Sequence, residues 1–186
     1  LSAMLTAIMR PLMPVAPLHA FDAPVAGSGK SLLAHATAVL ATGETAPMAS
    51  LGGSDEETEK RLDAVLLAGD PVLVLDNLER PLSGDRLCTI LTEPSVRIRR
   101  LGASEVITVP SSAAVMATGN NLRVKGDLSR RTLICRLDPR HERPELRHFD
   151  PAILKEVSDR RGELVVSLPT PVRADQHFGV HHPATT

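Results

Sequence analysis

The chain has 186 residues, of which 42% are hydrophobic and 23% are charged, and its formal net charge is -1. These values are ordinary for a globular domain with a real core, and they exclude a strongly basic protein whose overall field attracts nucleic acid. The aromatic residues are three Phe, with no Tyr and no Trp. Any nucleic-acid contact would therefore depend on charge and backbone groups more than on base stacking.

The cysteines and the apolar start of the chain indicate the cellular compartment of the protein. Cys88 and Cys135 are too few for a disulfide framework and lie in apolar surroundings, which predicts two small core residues in a reducing cytoplasm. The first apolar stretch is interrupted by Arg10 and by prolines, well before the roughly 20 residues that a membrane span requires. We expect a cytoplasmic protein with no membrane partner and, because the first residue is Leu1, a fragment of a longer chain.

The first part of the chain alternates helix and strand patterns. The predicted elements are a helix over residues 2–9, a strand over 18–23, a helix over 30–41 and a strand over 71–76. Before the last strand, Ser54 and Glu57 form a capping box that begins another helix, which ends near Gly69. The apolar run at 71–76 is typical of a strand buried on both faces of a parallel sheet. This alternation predicts an α/β fold with helices layered on a mostly parallel sheet.

The second part of the chain adds a hairpin to this alternation. The predicted elements are a helix over residues 83–92, a β-hairpin over 96–109, a strand of small residues ending in TGNN, a strand over 132–138 and a helix over 151–161. The hairpin prediction depends on period-two alternation on both sides of the sequence Leu-Gly-Ala-Ser.

The sequence PVAGSGKSLLA, at residues 24–34, lies between a predicted strand and a predicted helix. Gly29, Lys30 and Ser31 match the end of a phosphate-binding loop, although Pro24 stands where that pattern has its first glycine. In such a loop backbone N–H groups surround a phosphate, the helix N-terminus adds positive charge and the lysine reaches the terminal phosphates. The predicted nucleotide-binding residues are Pro24, Val25, Ala26, Gly27, Ser28, Gly29, Lys30, Ser31 and Leu32, with Ser31 also a magnesium ligand. The alternative is a Gly-Ser turn that only caps a helix.

An acidic residue, Asp76, ends the buried strand at 71–76, where a carboxylate orients hydrated magnesium in ATPases. The alternative is an Asp-Asn turn. Asn77 occupies a position where many ATPases of this plan carry Glu, and an amide positions a water molecule but does not accept its proton. Either Glu79 substitutes, Asp76 serves both purposes, or hydrolysis is slow.

Three further polar residues lie next to predicted strands. Asn120 ends the strand of small residues and, if that strand lies beside the one ending at Asp76, its side chain reaches the γ-phosphate or the attacking water. The alternative is a Gly-Asn turn. Arg130 and Arg131 precede the strand at 132–138, and an arginine that reaches a neighbour's γ-phosphate stabilises transition-state charge. The alternative is a pair of solvated arginines.

Taken in order, the sequences APVAGSGKSLLA, VLVLDN, TGNNL and GDLSRRTLICRLD resemble those of AAA+ P-loop NTPases. More narrowly, they are similar to the helicase domain of phage, plasmid and integrative-element replication proteins, which is often fused to a primase and is related to superfamily 3 helicases. The resemblance implies a three-layer αβα fold with an inserted hairpin and a truncated helical lid. The expected divisions are a core over residues 1–148, a partial lid over 149–165 and a loose tail over 166–186.

The resemblance also implies ATP and Mg²⁺ as cofactors and a role for each motif. Residues 27–31 hold the phosphates, Asp76 serves magnesium, Asn120 corresponds to the first sensor, and Arg131 or Arg130 is the finger that acts in trans. The family further implies a ring, hexameric and moving on single-stranded DNA, in which Arg97, Arg99 and Arg100 of the hairpin neutralise DNA phosphates. The alternative is a hairpin that packs at a subunit edge with its arginines in water.

The expected function is therefore the ATP-hydrolysing motor of a replicative DNA helicase from a phage or mobile element. A different class, an AAA+ remodelling or regulatory ATPase that acts on protein partners, remains open at this point. So do a monomeric small-molecule kinase and a degenerate fragment that only binds nucleotide.

Overall fold

The fold was analysed in a computed structural model, which describes residues 1–51, 53–99, 105–139 and 152–168. The helices within these ranges are α1 (Ser2–Met9), α2 (Lys30–Thr42), α3 (Asp55–Ala68), α4 (Asp85–Thr92), α5 (Ala152–Asp159) and α6 (Arg161–Ser167). The strands are β1 (Leu18–Ala23), β2 (Met48–Ala49), β3 (Val72–Leu78), β4 (Ser95–Arg99), β5 (Val106–Pro110), β6 (Ala114–Asn120) and β7 (Thr132–Arg136). Short 3-10 turns cover Arg10–Leu12 and Gly126–Arg130.

Among the described residues, five strands form one parallel sheet in the order β2-β3-β6-β1-β7. Parallel strands need crossovers, and helices supply most of them here, so all five carboxyl ends meet at one edge of the sheet. β6 lies between β3 and β1, which brings the ends of these three strands together. The predicted α/β fold with a mostly parallel sheet is confirmed.

Helices cover both faces of this sheet, because its central strands are apolar on both sides. On one face, alanines of α1 and α2 pack against β1, β3 and β6. On the other face, leucines and isoleucines of α3 and α4 pack against the same strands. The core is thus built from small and aliphatic side chains, as the shortage of aromatic residues requires.

The hairpin of β4 and β5 lies on the α3 and α4 side, where Val96 and Ile98 are buried in the core and Arg97 and Arg99 are exposed. The predicted antiparallel pairing is confirmed, and the residues between the two strands, 100–104, lie outside the described ranges. The guanidinium of Arg86 joins this hairpin to two helices. It donates two hydrogen bonds to the carboxylate of Asp63, of 2.6 and 2.7 Å, and a third to the Arg97 carbonyl at 3.1 Å.

Two expectations about the end of the chain need correction. Cys135 is exposed, because β7 is an edge strand among the described residues and also exposes Leu133 and Ile134. Cys88 is half-buried against the core. The expected single helix over 151–161 is two helices, α5 and α6, which pack on α2, and Arg161 donates to the carbonyls of residues 40 and 41. Within the described ranges, the helices are all too short or too polar to cross a membrane.

Candidate functional site

The loop between β1 and α2 has the backbone geometry that its glycines predict. Gly27 and Gly29 have φ angles of 72° and 84°, in the left-handed region that glycine enters without strain. Gly29 is the N-cap of α2 and has no side chain, so the amide groups of the first helical turn have no side-chain cap. Amides at a helix N-terminus attract anions, and this loop has the backbone geometry that such a site requires.

Lys30 begins α2 and is 9% exposed, so its ammonium group is held close to the loop rather than in solvent. Its Nζ donates to the Val25 carbonyl at 3.1 Å and to Asn120 Oδ1 at 2.7 Å. Burial lowers the pKa of Lys30, while the negative charges of Asp22 and Asp76 act in the opposite direction. A partly desolvated ammonium at the loop attracts an anion more strongly than one in bulk water.

Ser31 and Asp76 lie next to one another across α2 and β3. The Ser31 hydroxyl donates to Asp76 Oδ1 at 2.9 Å, and the Thr118 hydroxyl donates to the same oxygen at 2.6 Å. A carboxylate and a hydroxyl at the edge of the anion site are the hard oxygen ligands that Mg²⁺ binds together with substrate phosphates. The donor set therefore fits a magnesium ion, which Ser31 and Asp76 would hold.

A β-bulge shapes the end of β3. Leu75 pairs with Ala117 and Leu78 with Gly119, so that two residues of β3, Asp76 and Asn77, face one residue of β6. Asn77 takes a φ of 52°, and its N–H donates to the Thr118 hydroxyl at 3.0 Å. Thr118 thus binds both residues of the bulge and fixes the direction of the Asp76 carboxylate.

The bulge leaves Asn77 and Glu79 exposed beside Asp76. All three line one cavity of about 350 Å³, together with Ser50 and Arg80. Among these side chains, the Glu79 carboxylate can accept a proton from water, so that Asp76 keeps its charge. The Asn77 amide cannot accept a proton.

The turn after β6 is tied to the residues before the glycine loop. Asn121, with a φ of 50°, donates from Nδ2 to the Pro24 carbonyl at 3.2 Å and from its N–H to the Ala23 carbonyl at 3.0 Å. The N–H of Leu122 donates to Asp22 Oδ1 at 2.8 Å. These bonds hold Asn120, the residue just before the turn, over the loop.

Two of the residues at this site, Asp22 and Thr118, were missed in the sequence. Asp22 lies inside the apolar strand sequence LHAFDA. Because acidic residues are rarely buried without a hydrogen-bond or ion-pair partner, its position in the sequence could have indicated such a contact. Thr118 lies among small residues and gives no such signal, because its role depends on the register between β3 and β6.

The two candidate finger arginines differ in their surroundings. Arg131 is half-buried and forms an ion pair with Asp127 of its own chain, and its Nε is buried without an acceptor within the described part of the chain. Arg130 is exposed. Of the hairpin arginines, Arg97 and Arg99 are exposed on β4, and Arg100 lies outside the described residues.

The parallel sheet, the glycine loop before α2 and the carboxylate at the end of β3 give the chain an α/β fold of the P-loop NTPase type. Solved structures with this fold include the C-terminal region of NrS-1, at a TM-score of 0.56 and 16% identity over 86% of this chain. They also include the JCV helicase, at a TM-score of 0.53 and 14% identity over 89% of this chain. Both likenesses concern the fold.

The chain spans 38% of the length of the NrS-1 structure and 55% of that of the JCV helicase. No protein-family model and no curated protein matches the sequence.

Proposed function

We propose that this chain is the ATP-binding and ATP-hydrolysing motor domain of a replicative DNA helicase from a phage or mobile element. The observation that carries the proposal is the convergence of Lys30, Ser31 and Asp76 at the glycine loop, with Ser31 Oγ 2.9 Å from Asp76 Oδ1. An anion cradle beside a magnesium-type carboxylate is the arrangement that a nucleoside triphosphate requires. The fold shared with the JCV helicase supports the assignment to a helicase.

In this proposal each residue of the site has a separate task. The amides of residues 25–31 and the Lys30 ammonium bind the β- and γ-phosphates, and Ser31 and Asp76 would hold Mg²⁺. Magnesium, when bound, neutralises charge on these phosphates. Asn120, whose amide oxygen accepts a hydrogen bond from Lys30 at 2.7 Å, would orient the γ-phosphate or the attacking water.

Glu79 is our candidate for the group that accepts a proton from the attacking water. It is exposed in the cavity that Asp76 also lines, whereas Asn77 carries no basic group. The variant Glu79→Gln is expected to bind ATP like the wild type and to lose turnover by about 10²-fold, in the range typical of general bases. If Glu79→Gln hydrolyses ATP at the wild-type rate, Glu79 is not the base, and either Asp76 serves both purposes or hydrolysis is slow without a base.

Assembly into a ring, hexameric as in the family that the sequence resembles, is also part of the proposal. Arg130 is exposed just before β7 and is free to reach a neighbour, whereas Arg131 is bound to Asp127. A finger supplied in trans is worth ~10³-fold or more in rate. The ATPase rate per subunit is therefore expected to rise with protein concentration, and the rise should be lost in Arg130→Ala or Arg131→Ala, whichever residue is the finger.

Single-stranded DNA is the proposed track, and the exposed arginines of β4 are its proposed contacts. Arg97 and Arg99 alternate with the buried Val96 and Ile98, so both extend from the same face of the hairpin. Phosphate contacts of this kind do not depend on base sequence and weaken with salt. The double variant Arg97→Ala/Arg99→Ala should keep basal ATPase activity and lose its stimulation by DNA.

The experiment that tests the proposal measures ATP affinity and turnover over a range of protein concentrations, with and without single-stranded DNA. Lys30→Ala is compared with Lys60→Ala, an exposed lysine on α3 that pairs only with Glu56 among the described contacts. Lys30→Ala should lose ATP binding by tenfold or more, and Lys60→Ala should not. Unchanged binding and turnover in Lys30→Ala would refute the nucleotide site. If a protein partner stimulated ATP turnover and DNA did not, the result would support a remodelling ATPase and contradict the helicase proposal.

A further inference from the structure

Two of the described residues other than glycine have a left-handed backbone, Asn77 with a φ of 52° and Asn121 with a φ of 50°. This conformation is unfavourable for most side chains, and asparagine is among the few residues that adopt it readily. Each of the two directly follows a residue of the candidate site, Asp76 or Asn120, and each is followed by a leucine. The sequences Asp-Asn-Leu and Asn-Asn-Leu therefore lie at the carboxyl ends of two neighbouring strands, β3 and β6.

In β3, the direction of the side chains changes at the left-handed residue. The four apolar residues 72–75 pack alternately in the layer of α1 and α2 and in the layer of α3 and α4. Asp76 continues this alternation on the α2 side, because its Oδ1 accepts a hydrogen bond from the Ser31 hydroxyl at 2.9 Å. Leu78 is two residues further on and should face the same side, but it is buried in the layer of α3 and α4.

The same change occurs at the end of β6. Residues 114–117 alternate between the two layers, and residues 114 and 116 pack on the side of α1 and α2. Asn120 continues that set, since its Oδ1 accepts a hydrogen bond from Lys30 of α2 at 2.7 Å. Leu122 is two residues further on, yet it is buried in the layer of α3 and α4.

A regular strand cannot meet both requirements at once. Residues two positions apart in a strand face the same side of the sheet, so a polar residue directed at α2 would be followed by a leucine on that side. A left-handed residue between them turns the chain, so that the leucine enters the opposite layer. The two leucines lie close together there, because a Cβ at Gly119 would be 2.9 Å from the Leu78 carbonyl oxygen and 3.0 Å from Leu122 Cδ1.

The contacts of Asn77 also indicate a role of its backbone. Its N–H donates to the Thr118 hydroxyl at 3.0 Å, whereas its exposed side-chain amide has no hydrogen-bond partner in the part of the chain that the structure describes. Asn121 has the same backbone conformation, and its Nδ2 donates in addition to the Pro24 carbonyl at 3.2 Å. The feature that the two asparagines share is thus the left-handed conformation.

We propose that Asn77 and Asn121 are positioning residues of the nucleotide site: their left-handed backbone directs Asp76 and Asn120 towards α2, while the leucines that follow remain in the opposite layer. The inference rests on the proposed nucleotide function. It assigns the asparagine at residue 77 to backbone conformation and not to an amide that orients water.

Glycine and alanine at these positions separate the backbone from the side chain. Glycine adopts the left-handed conformation without strain and has no amide, whereas alanine is strained there. In urea unfolding, Asn77→Gly and Asn121→Gly should therefore be more stable than Asn77→Ala and Asn121→Ala. Thr108, an exposed residue of β5, is the control position. There the order should be reversed, because glycine weakens an ordinary strand.

The Mg²⁺ concentration for half-maximal ATPγS binding reports the direction of the Asp76 carboxylate. If Asn77→Ala leaves the left-handed region, the buried Leu78 forces Asp76 away from Ser31. We expect this concentration to rise about fivefold or more in Asn77→Ala and to stay within about twofold of the wild-type value in Asn77→Gly. A residue that only stabilised the fold would leave the Mg²⁺ requirement of both folded variants unchanged, and that result would overturn the positioning role of Asn77.

For Asn121 the readout is turnover, because Asn120 is expected to orient the γ-phosphate or the attacking water. Asn121→Ala should lower kcat more than Asn121→Gly, which loses only the hydrogen bond from Nδ2 to the Pro24 carbonyl. Equal kcat values in these two variants would overturn the positioning role of Asn121.

Three other results bear on the proposal. If the alanine variants at residues 77 and 121 were more stable than the glycine variants, the left-handed backbone would have no special role. A loss of kcat of about tenfold or more in folded Asn77→Gly would assign Asn77 to the binding of water by its amide, against the proposal. If Lys30→Ala bound Mg²⁺–ATPγS like the wild type, the nucleotide function would fail, and the order of stability would still test the backbone role.

A further variant is used if Asn77→Ala does not fold. Asn77→His also lacks the amide, and histidine tolerates the left-handed region better than most residues. Its Mg²⁺ requirement should stay close to that of the wild type. A rise of about fivefold or more in folded Asn77→His would overturn the proposal.

Discussion

Lys30 Nζ and Asn120 Oδ1 lie 2.7 Å apart, so the lysine of the glycine loop is bound to the end of β6. The same ammonium donates to the Val25 carbonyl within the loop. In the proposed nucleotide site, a phosphate bound at the loop would compete with these two oxygens for Lys30. The balance between the oxygens and the phosphate would then set the affinity of the site.

Asn120→Asp should shift this balance away from phosphate. A carboxylate at residue 120 strengthens the bond to Lys30 and repels the γ-phosphate, because like charges at close range are unfavourable. We expect Mg²⁺–ATPγS binding weaker by about tenfold, equivalent to about 1.4 kcal/mol, and a higher melting temperature without nucleotide. Calorimetry and thermal melts measure the two effects. Asn120→Ala, which adds no charge, should lower the melting temperature instead, and a rise in that variant would contradict this account.

Thr118→Val should destabilise both the fold and the proposed magnesium site. Valine has the shape of threonine but leaves Asp76 without one hydrogen bond and the Asn77 N–H without an acceptor. Because Asp76 is partly buried and Asn77 is exposed, water can replace part of these bonds, and the expected loss is about 0.5–1.5 kcal/mol in urea unfolding. The Mg²⁺ concentration for half-maximal ATPγS binding should also rise.

Thr37→Val is the control for this variant. Thr37 is equally buried, but its hydroxyl donates only to the Leu33 carbonyl of its own helix, at 2.8 Å. Loss of such a back-bond has little effect on a helix. If the two valine variants lost the same unfolding free energy, and the Mg²⁺ requirement for ATPγS binding changed in neither, the Thr118 hydroxyl would have no role at the site.

Gly119→Ala should be strongly unfavourable for a steric reason. A Cβ at this position would lie 2.9 Å from the Leu78 carbonyl oxygen and 3.0 Å from Leu122 Cδ1. Relief requires movement of the β3 backbone next to the bulge, and overpacking of this kind costs about 1–3 kcal/mol. Gly162→Ala on α6, where a Cβ meets nothing within 4 Å, is the control and should be neutral or stabilising. Equal unfolding free energies for the two variants would be the contrary result.

His19 should make the fold sensitive to mild acid. It is 6% exposed on β1, its Nε2 lies 3.0 Å from the Ser2 hydroxyl, and burial lowers its pKa below the ordinary 6.5. The unfolded chain therefore takes up the proton first. The stabilisation by neutral His19 is complete above about pH 6.5 and is lost as the pH falls below that value.

Urea unfolding between pH 7.5 and pH 5 measures this dependence. His19→Gln keeps a polar side chain at the position and removes its titration. The variant should lose less stability than the wild type over this pH interval. An equal loss in both proteins would assign the acid sensitivity to other groups.

Features that depend on neighbouring residues were predictable from the sequence. Ser54 caps α3 as predicted, since its hydroxyl accepts from the Glu57 N–H, but the Glu57 carboxylate accepts from the N–H of Gly53 and not from that of Ser54. The i,i+4 pairs of Glu56 with Lys60 and Glu57 with Arg61 form in the same helix. The buried strand at 71–76 is β3, although it extends to Leu78. In each case the signal lies within one turn or one strand.

Features that depend on sheet register were not predictable. Strand β2, Met48–Ala49, has two residues and no hydrophobic pattern of its own. It forms because its main chain pairs in parallel with β3. The roles of Thr118 and Asp22 follow from the placement of β6 between β3 and β1. Cys135 was wrongly predicted to be buried, because an apolar sequence does not reveal that its strand lies at an edge.

The bidentate contact of Arg86 with Asp63, extended to the Arg97 carbonyl, has a mechanical consequence. Paired hydrogen bonds of this geometry fix direction as well as distance, so Arg86 holds α3, the start of α4 and strand β4 in one fixed arrangement. Arg86→Lys would keep the positive charge but could not form the paired hydrogen bonds with Asp63 and the bond to the Arg97 carbonyl together, so the contact would be less rigid.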